Sequence, residues 1–428
     1  MGAGGSALGD LINTLNRTLG EIQCRGCHGE NLYTALDLGN VPIANELTIE
    51  PTASPDLFPL HLKICSDCGL GQVADVVTPE RIFRDYRYLS SVSSTFLDHA
   101  AAFVDKCLSD KLIAEGDWVL EIASNDGYLL KNFQRLGIKS IGIEPAKNVA
   151  KIAIGLGIHT ISEFFGSELA KSIVRDFGHP KLIIANNVMA HVPDLADFIE
   201  GLSLLSGPET IISIENPSLA NILIGMQFDT IYHEHYSYLT AYSVKNLIES
   251  YGLTLIKVEN LNTHGGSNRY WIKKSDSVYE LHESVELTIS TELSQGLFSE
   301  KHWSKFSIKV SGILSDFSSW LEKNRSPNVK IYGYGAAAKA STILNSIDNI
   351  ESNILAIADA SLEKQGRYMA PHNIKVVSPQ ALFDANPTHI IIFPWNIKNE
   401  IVTFLRAGLK NNARIWCVIP IMHEVDLA

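Results

Sequence analysis

The sequence predicts an α/β protein in which two Rossmann-like, doubly wound domains follow a small cysteine-rich module. Three observations carry that prediction. Between residues 117 and 195, short apolar runs of strand length alternate with helical stretches, the pattern of a parallel sheet covered by helices. The pattern restarts at "NVKIYGYGAAAKASTILN". Ahead of both stand two CxxC pairs, Cys24 with Cys27 and Cys65 with Cys68.

Composition sets the outer bounds. A chain of 428 residues with 46% apolar and 19% charged residues has material for two or three buried cores. Its net charge of −12 excludes a nucleic-acid surface, which needs clustered Lys and Arg. There is no apolar run of about 18 residues, so no membrane span is expected. The opening "MGAGGSALGD" lacks the basic start and apolar stretch of a secretory signal. A cytoplasmic protein is expected, a monomer or weak homo-oligomer, with a small-molecule substrate.

In a reducing compartment six cysteines are not a disulfide framework. Cys107 and Cys417 stand alone among apolar neighbours and are read as core. The four paired cysteines are read as a closed tetrahedral zinc site, because each CxxC turn presents two thiolates at the reach zinc requires. A site filled by four thiolates has no open position, so this Zn2+ is structural. His28 is read as a bystander, and residues 1–78 as a zinc-binding N-terminal module.

The first strand–turn–helix, "DWVLEIASNDGYLL", carries Glu121, Ala123, Asn125, Asp126 and Gly127 in its turn. The next strand ends at Glu144, a third unit passes through Glu163 and Phe164, and the next strand ends at Asn186 and Asn187. Ligands of such sheets sit at the carboxyl ends of the strands. The turn is not GxGxxG. It resembles the ExGxGxG-type loop of class I S-adenosylmethionine (SAM) methyltransferases, with Ala123 in place of the usual first glycine. That resemblance implies that Gly127 admits the methionine part of the cofactor and that Glu144 accepts from both ribose hydroxyls. Glu163 and Phe164 would meet the adenine. An acid near Glu144 also suits a dinucleotide, and hydride transfer remains a rival. Residues 79–300 are assigned to this domain.

"FDTIYHEHYSYLT" (228–240) gathers histidines, a glutamate and tyrosines. It reads as a metal chelate, as a catalytic base with its supports, or as a polar loop. On a strand, His233 and His235 would share a face with Glu234 opposed, and they lack the i, i+4 spacing of helical zinc sites. With the two CxxC pairs, "EIASNDG", "NNVMAHVPDL" and "HGGSNR", the chain resembles the sugar C-methyltransferases that act on nucleotide-linked 4-keto-6-deoxysugars. The resemblance implies His235 as general base, Tyr232 and Glu234 beside it, His191 approaching from the SAM side, and Tyr86 near the sulfonium. Removing a proton next to a carbonyl suits a neutral imidazole. Methylation is expected at the carbon α to the ketone, most simply C3. Another enolisable substrate would need much the same base. His264, Gly266 and Ser267 of "NTHGGSNRYWI" are candidates for substrate contact.

Residues 281–325 read as helical. The last unit, 301–428, opens with Gly333-x-Gly335-x-x-Ala338, and Asp359 follows 24 residues after Gly335, a dinucleotide fingerprint on its face. The rival reading is therefore an NAD-dependent sugar-nucleotide oxidoreductase, and a non-catalytic SAM- or nucleotide-binding regulator is a third. Lys339 beside the turn suits a diphosphate equally well, and the resembling family carries the same unit to grip its nucleotide sugar. Gly335, Lys339 and Arg367 are the substrate-binding candidates here, with "FPWN" (393–396) as a wall. The family's glycine-containing segment reads Met369-Ala370-Pro371-His372 in this chain.

Overall fold

The computed structural model describes residues 23–51, 54–74, 77–83, 89–347 and 353–425. Strands β1 (Leu32–Val41), β2 (Phe58–Cys65) and β3 (Gly71–Gln72) start a four-stranded antiparallel sheet. The second cysteine knuckle lies between β2, which ends on Cys65, and β3. The fourth strand comes from far along the chain and is identified below.

The central sheet contains β4 (Trp118–Ile122), β5 (Lys139–Ile143), β6 (His159–Ile161), β7 (Leu182–Asn186) and β8 (Ile211–Pro217), all parallel. A short strand, β9 (Ser237–Tyr238), leaves this unit and pairs with β3, completing the first sheet. β10 (Leu253–Leu261) and β11 (Ser267–Lys274) then form a hairpin antiparallel to β8. The order is β10-β11-β8-β7-β4-β5-β6, so chain direction across the sheet reverses at β4. The crevice of a doubly wound sheet opens at the carboxyl ends beside that reversal, and the turn after Ile122 lies there. The β10–β11 turn lies at the same edge, because Ser267 pairs with Pro217 at the end of β8.

The stretch read as helical over 281–325 holds two helices, Ser284–Ser294 and Glu300–Lys323. Gly296 with φ +70° separates them, a left-handed position that favours glycine. The longer helix buries Trp303, Phe306, Val310, Ile313, Phe317 and Leu321, at the three- and four-residue spacing of an apolar stripe.

The last sheet follows: β12 (Ile331–Tyr334), β13 (Ile357–Ala358), β14 (Tyr368–Met369), β15 (Ile374–Val377), β16 (His389–Ile392), β17 (Arg414–Cys417) and β18 (His423–Glu424), in the order β14-β15-β13-β12-β16-β17-β18. Only the two edge strands are antiparallel, and the reversal falls at β12, where the glycine turn begins. The protein is thus α/β with two Rossmann-like sheets behind a cysteine-rich module. The apolar residues of β1 and β2, the long helix and the interior of the last sheet form one continuous core. Thr48 and Tyr368 exchange backbone hydrogen bonds across the same junction.

Candidate active site

The four cysteines come together. Cys24 Sγ lies 3.5 Å from Cys68 Sγ, Cys27 Sγ 3.6 Å from Cys65 Sγ, and all four lie within 4.8 Å of one another. Tetrahedral zinc with Zn–S near 2.3 Å requires sulfur separations of about 3.8 Å, so the set fits the ion. Among the described residues this is the group of three or more metal-ligating side chains that converges, and the histidines of 233–235 form no such cluster.

The turn after β4 is built from left-handed residues. Ala123 (φ +56°), Asn125 (φ +50°) and Gly127 (φ +79°) alternate with ordinary ones, curling the backbone tightly. A Cβ on Gly127 would stand 2.3 Å from Ile158 Cδ1, so glycine is required by space as well as by φ. The curl brings Glu144, from the end of β5, against it: the Glu144 carboxylate accepts from the amides of Asn125 (3.0 Å) and Ala146 (2.8 Å). Burial pushes Glu144 up to about 7 against those two bonds. Glu121 is held well above the carboxylate range by burial, with Asp126 and Glu144 adding repulsion. Glu121 Oε2, Asp126 Oδ1, Asn186 Oδ1 and Asn187 Oδ1 are buried with no hydrogen-bond partner. Polar atoms rarely stay so unless a ligand engages them. Glu163 and Phe164 lie on the exposed loop after β6, next to Glu144, whose carbonyl accepts from Ser162 Oγ at 3.1 Å. The residues present fit SAM.

The segment 228–236 is a short 3-10 helix (Phe228–Thr230) and a turn, not a strand. His235 N–H closes the turn on the Tyr232 carbonyl at 3.0 Å. The alternation expected of a strand is therefore lost. His235 packs on Tyr232 with ring centroids 4.1 Å apart, while His233 turns away to the Pro59 carbonyl, 3.2 Å from its Nε2. His235 Nδ1 lies 3.2 Å from the Thr230 carbonyl and Nε2 2.9 Å from the Tyr232 hydroxyl. A carbonyl only accepts, so Nδ1 carries the hydrogen and Nε2 holds the lone pair. Burial first, then the charges of neighbouring groups, keep His235 well below the usual histidine range. His191 lies edge-on to His235 at 4.6 Å, and burial lowers it to about 4. Glu234 is buried, and Asn45 Nδ2 lies 2.8 Å from each of its carboxylate oxygens. Burial raises it to about 6. Tyr86 lies outside the described residues.

His264 is left-handed (φ +54°) in the β10–β11 turn, and burial lowers it to about 4. The Ser267 hydroxyl closes that turn on the Thr263 carbonyl (3.1 Å). Gly266 leaves space that Asn221 fills, a Cβ there standing 2.3 Å from Asn221 Nδ2. Lys339, second in the helix Ala338–Asn345, reaches across to Thr230 Oγ1 at 2.8 Å. Gly335 (φ +89°) packs under Pro394. Arg367 is folded onto its own loop, Nε donating to the Glu363 carbonyl at 2.9 Å.

Comparison with known proteins matches three successive segments of the chain. Residues 24–83 match the model of a putative zinc binding domain, 96–258 that of a methyltransferase domain, and 262–420 that of a C-methyltransferase C-terminal domain. C-methyltransferase NovU of Streptomyces niveus is 29% identical over 400 residues, covering 93% of this chain and 95% of that one. The chain is a SAM-dependent methyltransferase. Solved structures similar to part of it include magnesium protoporphyrin IX methyltransferase (ChlM) of Synechocystis PCC 6803 with bound SAM, at 13% identity, TM-score 0.32, 42% of this chain and 79% of that one. A SAM-dependent methyltransferase of Archaeoglobus fulgidus is 18% identical, TM-score 0.33, over 39% and 72%.

In this methyltransferase the acid of the dinucleotide fingerprint, Asp359, accepts from the Ser361 amide at 2.8 Å and pairs with Lys364 at 3.5 Å. No helix among the described residues is long and apolar enough to cross a membrane. Sequence reasoning missed Asn45, Asp229, Thr230 and Lys364. Asp229 and Thr230 directly precede the histidine segment, and proximity to it was the available signal. Asn45 and Lys364 carry none. Trp395, read as a pocket wall, donates to Asp229 Oδ2 at 2.7 Å.

Proposed function

We propose that this methyltransferase acts on the carbon α to the ketone of a nucleotide-linked 4-keto-6-deoxysugar, at C3, with His235 as general base. The observation that carries the proposal is the placement of His235 Nδ1 3.2 Å from the Thr230 carbonyl. Thr230 fixes hydrogen on Nδ1, which leaves Nε2 basic, and burial keeps the ring neutral. A neutral, buried imidazole beside a second imidazole and a phenol suits carbon deprotonation, for which general-base catalysis supplies about 10²–10⁴-fold. SAM, when bound, supplies an electrophilic methyl group on a sulfonium. Glu144, Asn125 and the turn to Gly127 would hold that cofactor, with Glu163 and Phe164 at its adenine. Tyr232 and His191 are placed to orient the enolate, and Glu234 steadies the catalytic turn through Asn45. Gly335, Lys339, Arg367, His264, Gly266 and Ser267 would contact the sugar nucleotide between the two Rossmann-like sheets, since ligand sites concentrate at domain seams.

The identity with NovU supports carbon as the acceptor, and the resemblance in "YHEHYSYL" supports a keto-sugar. Mass spectrometry of products from a panel of keto-sugar nucleotides tests this reading, with a gain of one methyl group on the sugar expected. The companion variant His235→Gln is expected to lose at least about 10³-fold in kcat, with SAM affinity within about twofold of wild type. Turnover persisting in that variant removes His235 from the role of base.

A further inference from the structure

We infer that Lys339 is a catalytic residue: its ammonium stabilises the enolate oxygen formed when His235 removes the α-proton, and it is not primarily a diphosphate anchor. The inference rests on the reading of His235 as base. The placement of the ammonium argues for it. Lys339 Nζ donates to Thr230 Oγ1 at 2.8 Å, and the carbonyl of that same residue holds His235 Nδ1 at 3.2 Å. One residue therefore spans the cation and the base.

The cation is also enclosed. Its side chain is 14% exposed, its counter-ion Asp229 stands 3.9 Å away and wholly buried, and the Trp395 ring forms a floor 4.9 Å below Nζ. Trp395 binds Asp229 in turn, its indole N–H 2.7 Å from Oδ2. Asp229 is therefore shared, and its separation from Lys339 is too long for a direct hydrogen bond. Lys339 keeps donors to spare, while its charge bears on both His235 and His264. A buried cation with unused donors is suited to a charge that appears only during reaction, where fixed donors in a water-poor site are most effective.

A diphosphate, by contrast, needs its cation at the mouth of the glycine turn. Lys364 occupies that position, its Nζ 2.9 Å from the Ala336 carbonyl. In the proposed step the C–H pair becomes the C=C bond, the carbonyl π pair moves to oxygen, and the proton passes to His235 Nε2. The oxygen then bears one negative charge, matched by the single positive charge of Lys339.

The test is deuterium exchange at the α-carbon of dTDP-4-keto-6-deoxyglucose in D2O with S-adenosylhomocysteine present, together with steady-state methylation. Lys339→Met is expected to slow exchange and kcat by about 10²–10³-fold, with KM for the sugar nucleotide within about threefold. Because Lys339→Met strands Asp229, the pair Asp229→Asn/Lys339→Met guards against misfolding and is expected to show the same loss. Lys339→Arg should recover part of it. Titration of the His235 ring by NMR is expected to move upward in Lys339→Met, as loss of a nearby positive charge requires, and the exchange rate measured against KM separates enolate stabilisation from a structural role. Exchange and kcat retained while KM rises tenfold or more would overturn the role in favour of a diphosphate anchor. No exchange by the wild-type enzyme would instead overturn the keto-sugar reading, and this role with it.

Discussion

Single residues decide the chemistry here, and the turn after β4 shows how. Ala123 stands in a left-handed conformation that costs an alanine about 1–2 kcal/mol. The chain accepts this because the curl delivers the Asn125 amide to Glu144. With Glu144 proposed at the ribose, cofactor binding is expected to be sensitive to pH. The folded-state value of Glu144, about 7, lies above its ordinary 4.5, so the unliganded site favours the protonated acid below that value. Ribose hydroxyls donate best to the carboxylate, so binding SAM should expel a proton. SAM affinity is therefore expected to rise as pH increases from 6 to 8, by up to about tenfold for one proton released per pH unit. Glu144→Gln should flatten that dependence, and calorimetry in buffers of different ionisation enthalpy would show the proton. A flat wild-type profile would contradict the placement of Glu144 at the ribose. Glu144 and the turn residues were candidates from the sequence because motif spacing names them. Asn45 was not, since its place comes only from what the fold sets opposite it.

At the scale of elements, the cysteine knuckles support the turn that carries His235. Arg25, inside the first CxxC, donates through its guanidinium to the carbonyls of Tyr236 and, at 3.1 Å, Val73. It also lies over the Tyr236 ring, 5.5 Å from its centroid. Tyr236 directly follows His235 and leads into β9, which pairs with β3. Replacing Arg25 by Leu removes these grips without touching a thiolate. Arg25→Leu is expected to keep one zinc per chain and near-normal SAM affinity while lowering kcat roughly tenfold, since small displacements of catalytic groups are costly. Arg25→Lys, a point charge without the planar fork, should recover only part. Loss of zinc from Arg25→Leu would mean that the guanidinium serves the knuckle alone. The alternating apolar runs made β4 to β8 legible, and the glycine turn marked β12. The two-residue strand β9 had no such signal, because it follows a turn read as strand and pairs with residues more than 160 positions earlier. Likewise the apolar periodicity over 281–325 identified helix, but only the left-handed Gly296 divides it in two.

At the scale of the whole molecule, the zinc-binding module is joined to both of its neighbours. Cys24, Cys65, Cys68 and Leu70 pack into the same core as Ile183, Ile214 and Leu247 of the central domain. Leu36, Leu60 and Leu62 share another core with Phe317, Ile331 and Ile391 of the last. Two extended cores that cross the segment boundaries leave no face on which the module could melt alone, because each boundary would expose fully buried apolar side chains at about 25 cal/mol per Å². Zinc stabilises only the folded arrangement of its thiolates, and that stabilisation should reach everything the cores connect. Removing zinc with a chelator is therefore expected to shift one cooperative thermal transition downward by about 10 °C or more. No separate low-temperature step should appear ahead of the main transition. Calorimetry with and without chelator, alongside one equivalent of zinc measured in the untreated protein, checks both halves of the expectation. A small early transition with the main one unmoved would show that the module folds independently of the two sheets and that the shared cores transmit nothing between them.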